Sequence, residues 1–178
     1  MKNQILFSLL GGIILWLWQF ISFAAANLHG SAQEFTPLSD QIISAISASG
    51  LPEGRYLLGQ VDPALIASGE ATGFENEGGP VAILHWDPVN DQNMAMNMIR
   101  GFAVCLLVSF LLFRLVKSLH KPSPRSGALA GLAIGFMAFL ALPYTNFIWY
   151  RSPDVWAYLV DAVVPWVLMG GLAGRFAK

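Results

Sequence analysis

Polar residues inside long apolar runs carry the most chemical interest, because each is costly in hydrocarbon unless a partner satisfies it. Asp161 is such a residue. It lies about 6 to 7 residues into the run that begins near Val155, or about 10 Å along a helix at 1.5 Å per residue. Gln19 reaches a similar depth in the first apolar run, Arg100 enters the second, and Tyr144 and Asn146 occupy the outer third of another. Each of four runs therefore offers a polar group to one layer. Pro165 removes the donor that would serve the Asp161 carbonyl, and Pro143 does the same for Phe139. Freed carbonyls at membrane depth need protein or water partners. Two chemistries suit such a layer. One is an ion pair of Arg100 with Asp161 that locks the helices together, with Gln19, Tyr144 or Asn146 adding hydrogen bonds. The other is a kinked polar pocket used for binding or transport.

Enzyme chemistry finds less support. Acid–base work needs a second titratable group near Asp161, and arginine is a poor proton carrier. No nucleophile, metal or phosphate-binding signature is present, so the expectation is a non-enzymatic protein with no cofactor. His29 and His85 lie in the acidic part of the chain, but no His-x3-His or Cys-x2-Cys spacing gathers ligands locally, and no metal site is expected. Glu75 and Glu77 lack the regular oxygen-ligand spacing of a calcium loop. Cys105 lies mid-run, where a thiol behaves as a small hydrophobe.

The elements that must position these residues are membrane helices. The 178 residues are 55% hydrophobic and only 12% charged, too apolar for an ordinary soluble domain. Ten basic residues against eleven acidic ones argue against nucleic acid as a partner. Four runs reach the length of about 20 residues that a bilayer requires: Ile5 to Ala25, Met98 to Val116, Gly127 to Trp149, and Val155 to Gly174. Arg114, Lys117, Lys121 and Arg125 fall between the second and third runs, on the side shared by Lys2, Arg175 and Lys178. Ten carboxylates and only Arg55 and Arg151 fall on the other side. Basic loops stay in the cytoplasm, which puts both termini there. A competing reading takes Lys2, the first run and the small residues Ala24, Ala25 and Ala26 as a secretory signal with an Ala-x-Ala cleavage site, which would leave three spans. A signal's apolar region is usually shorter, about 7 to 15 residues.

The fold expected is therefore an all-α membrane protein, a four-transmembrane-helix bundle with a small α+β extracytoplasmic insertion between helices 1 and 2. Its parts are a first helix over 1–26, the insertion over 27–97, and a three-helix region over 98–178. Within the insertion, Leu38, Ile42, Ile43 and Ile46 recur at helical spacing, with Ser39 placed to cap and Gly50 to end the helix. Gly54 to Leu58 and Pro80 to Trp86 read as strands that pair, with that helix packed on one face. Asp62-Pro63 starts a capped helical turn. About 70 residues without a disulfide is little for an independent core, so the insertion is expected to lean on the membrane or a partner. Gly127, Gly131 and Gly135, with Gly170 and Gly174, recur every fourth residue, as do small residues where membrane helices pack closely. They serve either packing within one chain or a homo-oligomer seam; Gly11 and Gly12 fit the same role.

Gly11-Gly12, His29, Gly54-Arg55-Tyr56, Gly79-Pro80, Pro143-Tyr144-Thr145-Asn146, and Asp161 followed by Trp166 and Gly170-Gly171 occur in an order that resembles a group of small bacterial four-helix inner-membrane proteins. In that group the Pro-x-x-Asn segment is richer in tryptophan than here. The resemblance implies the architecture and a place in the bacterial cytoplasmic membrane, and it implies no activity. The leading expectation is an accessory or scaffold protein that docks an envelope partner through the insertion. The alternative is a small transporter or ligand-binding membrane protein using the layer around Asp161 and Arg100.

Overall fold

The structure is a computed structural model that describes residues 2–72 and 78–177. Glu75, Glu77 and Lys178 lie outside the described residues. The chain divides into a helical unit, 2–34 with 93–177, and a smaller unit, 35–92. The segment after the first helix, His29 included, thus belongs with the helices rather than with the insertion.

The helical unit comprises α1 (Lys2–Phe20), α4 (Met94–Lys117), α5 (Pro124–Phe139), α6 (Thr145–Tyr150) and α7 (Val155–Phe176). Four segments, Lys2–Ala25, Met94–Lys117, Pro124–Tyr150 and Val155–Phe176, are long and apolar enough to cross a membrane. Their boundaries follow from local chemistry. The Asn93 side chain accepts from the Met96 amide to start α4, and Arg114 and Lys117 close it where cations suit the helix dipole. Ser123 and Ser126 form a reciprocal capping box around Pro124 at the start of α5. Pro143 is absorbed by a wide π-helical turn, Leu140–Tyr144, where the Thr145 hydroxyl donates to the Leu140 carbonyl at 2.8 Å. Pro165 lies buried inside α7.

Helix pairing is governed by small residues. α5 lies along α7 and α1 along α4, and both α1 and α4 also meet α7. A Cβ on Gly127 would overlap the Gly170 carbonyl oxygen, one on Gly131 that of Trp166, and one on Gly135 that of Ala162. In return, Gly170 faces Gly127, and Gly174 faces Ser123. Both glycine stripes are thus consumed within one chain, backbone against backbone. On the other pair, the bare Gly11 leaves room for the Ser109 hydroxyl, which donates to the Phe7 carbonyl at 3.3 Å, while Gly12 lets the Leu106 backbone approach. Phe7, Leu112, Phe113, Val116, Met169 and Ala173 fill the space between α1, α4 and α7. Large apolar side chains such as Leu107, Leu115 and Leu129 remain exposed, as suits helices facing lipid.

The smaller unit holds α2 (Ser39–Ala48), β1 (Gly54–Leu58), α3 (Pro63–Ser68) and β2 (Ala82–Trp86). β1 and β2 pair antiparallel, with Tyr56 opposite Leu84. The Trp86 indole donates to the Leu51 carbonyl, and the Tyr56 hydroxyl to that of Pro52. Asp62 caps α3 through the Ala64 amide, and Gly69 ends it in the left-handed conformation. Two expectations need correction here. Ser39 is the first helical residue and makes no cap, because Leu38 holds the N-cap position. The α2 face does not pack on the sheet: Ile42 and Ile43 are each about half exposed, and no described residue of 35–92 is buried.

Candidate functional site

The site forms where the segment leaving α1 folds back onto the start of α7. The last turn of the first helical segment widens into a π-helical turn, Ile21–Ala25, closed by the Ala26 amide on the Ile21 carbonyl. Such wide turns are rare and recur at functional sites. Asn27 then turns left-handed at φ 47°, the Leu28 amide returns to the Ser22 carbonyl, and a single 3₁₀ turn, Gly30–Ala32, follows. On the opposite wall Arg151 also turns left-handed, at φ 42°, and ends α6 so that Asp154 can sit at the N-cap of α7. Non-glycine residues held there cost about 1 to 3 kcal/mol each. The Arg151 reversal thus rests on a strained position, whereas asparagine at position 27 tolerates the left-handed region.

His29, 2% exposed, lies between two carboxylates. Its Nδ1 donates to Asp154 Oδ2 at 2.7 Å, and its Nε2 to Asp161 Oδ2 at 3.0 Å. Asp154 and Asp161 are seven residues apart, two helical turns, and so share one face of α7. The second oxygens are satisfied as well. Asp161 Oδ1 accepts from the Trp18 indole at 2.9 Å and the Ser22 hydroxyl at 2.7 Å, donors four residues apart on α1 and its extension. Asp154 Oδ1 accepts from the Ser152 hydroxyl. Asp154 forgoes the usual cap to its own helix, yet the helix N-terminus still favours its negative charge. The Phe23 ring stacks on the imidazole at 4.0 Å with 3° between planes, and the Tyr158 ring meets it edge-on at 4.6 Å.

Both ring nitrogens face carboxylate oxygens, so each contact must hold a proton, and with both protons on the ring the imidazolium donates in both directions. Burial alone pulls the His29 pKa down, but hydrogen bonds and charge from Asp154 and Asp161 outweigh it and raise it above the ordinary 6.5. Burial likewise pushes Asp154 up. Hydrogen bonds from Ser152 and His29 prevail and hold it below the ordinary 3.8. The array is an Asp154–His29–Asp161 bridge in which the imidazole links the segment after α1 to α7.

Arg100 is exposed and makes no ion pair with Asp161. The expected Arg100–Asp161 contact is therefore replaced by His29, Trp18 and Ser22. Tyr144 is exposed and packs against the rings of Phe139 and Phe147, and Asn146 is exposed; neither hydrogen-bonds to Asp161. Gln19 and Asp161 do come together, as walls of a groove of about 390 Å³ between α1, α4 and α7, which Cys105 also lines. His29 and Asp154 were missed as partners of Asp161. The two-turn spacing of Asp154 and Asp161, opposite a histidine just past the first apolar run, was the available signal. Among the described residues no group of three or more His, Cys, Asp or Glu side chains is arranged to hold a metal ion. The chain matches no protein-family profile, no curated protein and no solved structure.

Proposed function

We propose that the chain is a non-enzymatic, multi-pass protein of the bacterial cytoplasmic membrane, with both termini cytoplasmic and an extracytoplasmic insertion that docks another envelope component. One observation carries this reading. The 35–92 unit has paired strands and capped helices, yet none of its described residues is buried. Phe35, Leu38, Ile42, Ile43, Val81 and Val89 are all about half exposed or more. A folded backbone with no interior of its own calls for a surface to complete it. The accessory role follows from that need. The test is affinity purification of the intact chain after mild detergent extraction, comparing wild type with an Ile42→Glu, Ile43→Glu variant. A defined envelope protein should co-purify with wild type and be lost with the variant. A monomer without a partner, together with a 35–92 fragment that unfolds cooperatively on its own, would overturn the proposal.

A second reading, a small ligand-binding or transport protein centred on Asp161, is favoured by the groove beside that carboxylate. Its polar partners are Trp18, Ser22 and His29 in place of Arg100.

A further inference from the structure

We infer that the groove beside Asp161 is a binding site for an amphiphile with an organic ammonium head and a hydrocarbon tail. The inference rests on the second reading above and is independent of docking by the insertion. Two carboxylates and one imidazole joined by two N–H···O bonds hold two protons, which leaves a net charge of -1 wherever each proton sits along its bond. The second oxygens are met by donors, Asp161 Oδ1 by the Trp18 indole and the Ser22 hydroxyl and Asp154 Oδ1 by the Ser152 hydroxyl, an arrangement that suits carboxylates. No lysine or arginine offsets that charge, since among the described residues the ion pairs to these carboxylates both come from His29.

The groove is where the charge can be met. Asp161 lines it, its side chain is 20% exposed, and its carboxylate accepts three hydrogen bonds of the roughly four that two oxygens can take. Trp18, Phe23, Tyr158 and Trp166 supply aromatic walls, and Gln19 adds an amide. A hard metal ion would require several more oxygen ligands than one carboxylate and one amide. An anion would meet a net negative cluster. A weakly hydrated organic cation gains from both the carboxylate and the aromatic faces. Leu15, Val104 and Val108 continue the wall in hydrocarbon, on helices apolar enough to lie in a membrane, and this selects a tailed molecule over a free cation.

The test uses the full chain in a neutral maltoside detergent, titrated with dodecyltrimethylammonium while tryptophan emission is followed. Tetramethylammonium, dodecanol and dodecyl sulfate serve as comparison ligands. Saturable binding of the dodecylammonium is expected, at least tenfold tighter than that of the other three. It should weaken at least tenfold in Asp161→Asn and in Val108→Phe, which fills the groove and leaves the bridge intact. Equal affinity for dodecanol or dodecyl sulfate would overturn the ammonium site, and equal affinity for tetramethylammonium would overturn the tail. Should Asp161→Asn fail to fold, Val108→Phe decides: wild-type affinity in that variant refutes the groove. Ile42→Glu, Ile43→Glu should bind as wild type does, which separates this outcome from failure of the docking proposal.

Discussion

Replacing His29 with alanine tests the bridge most directly. The substitution deletes the imidazolium from between Asp154 and Asp161 and strands both carboxylates in a site where Asp154 is 5% exposed. Taking the imidazole and its 2.7 and 3.0 Å bonds as the spacer, the oxygens lie roughly 7 Å apart and repel by about 2 kcal/mol at an effective dielectric of about 20. The stack on Phe23 and the edge contact of Tyr158 also go, at about 0.5 to 1.5 kcal/mol for such ring pairs. The sum, on the order of 3 to 5 kcal/mol, matches what removal of one member of a buried ion pair usually costs. Thermal unfolding in detergent, followed by circular dichroism, should show the midpoint falling by roughly 10 °C for a chain of this length. Adding Asp154→Asn removes the repulsion and should return about 2 kcal/mol of the loss. An unchanged midpoint in His29→Ala, or a double variant less stable than the single one, would refute the bridge as a stabilising array.

The same array sets a pH window. His29, raised above 6.5, contributes fully below that value and loses its contribution as pH rises through its folded-state pKa; Asp154, lowered below 3.8, contributes above that value and loses it as pH falls. Unfolding midpoints measured from pH 3 to 9 should therefore peak between these limits and flatten in His29→Ala. Arg100→Leu, at an exposed position without a bond to Asp161, should change stability by no more than about 0.5 kcal/mol in the same melt. Gly131→Ala drives a methyl into the Trp166 carbonyl and should cost about 1 to 3 kcal/mol, whereas Gly101→Ala meets open space in α4 and should stabilise by about 0.5 to 1 kcal/mol.

The four apolar runs, the strands around Tyr56 and Leu84, and the cap at Asp62 were legible because each is a local pattern of period, length or turn chemistry. The spacing of Gly127, Gly131 and Gly135 likewise shows that some backbone must come close. It does not say which, and the facing carbonyls of Gly170, Trp166 and Ala162 emerge only from the fold. Asp161 stood out because a carboxylate inside an apolar run demands a partner. Its partner did not stand out, since depth along a helix is readable while rotation about the helix axis is not. Arg100 lies at a plausible level on α4 but on an exposed face, whereas Trp18 and Ser22 share the face that meets α7. His29 was harder still. Its approach depends on the π-helical turn at Ile21–Ala25, of which an ordinary apolar stretch gives no local sign, and on the left-handed Asn27, where the residue type permits the turn without requiring it.

The placement of the bridge bears on how the helical unit holds together. The α5–α7 pair is joined backbone to backbone, and the α1–α4 pair through Gly11, Gly12 and the buried Ser109. At both seams the backbones come so close that a methyl group on the glycine would not fit. Between the pairs the contacts are made by side chains: Phe7, Phe113 and Met169 toward one end, where the Asn3 side-chain amide also donates to the Phe176 carbonyl at 3.3 Å, and Trp18, Ser22 and His29 on Asp161 and Asp154 toward the other. Apolar packing tolerates small shifts at modest cost, while a charged hydrogen bond weakens steeply once its geometry is lost. The bridge is thus the directional tie between the two pairs, and the groove beside Asp161 opens along that same joint. A ligand that engages Asp161 must act on the joint as well, so dodecyltrimethylammonium should raise the unfolding midpoint of wild type and leave that of Val108→Phe unmoved. Equal shifts in the two proteins would separate the groove from the tie.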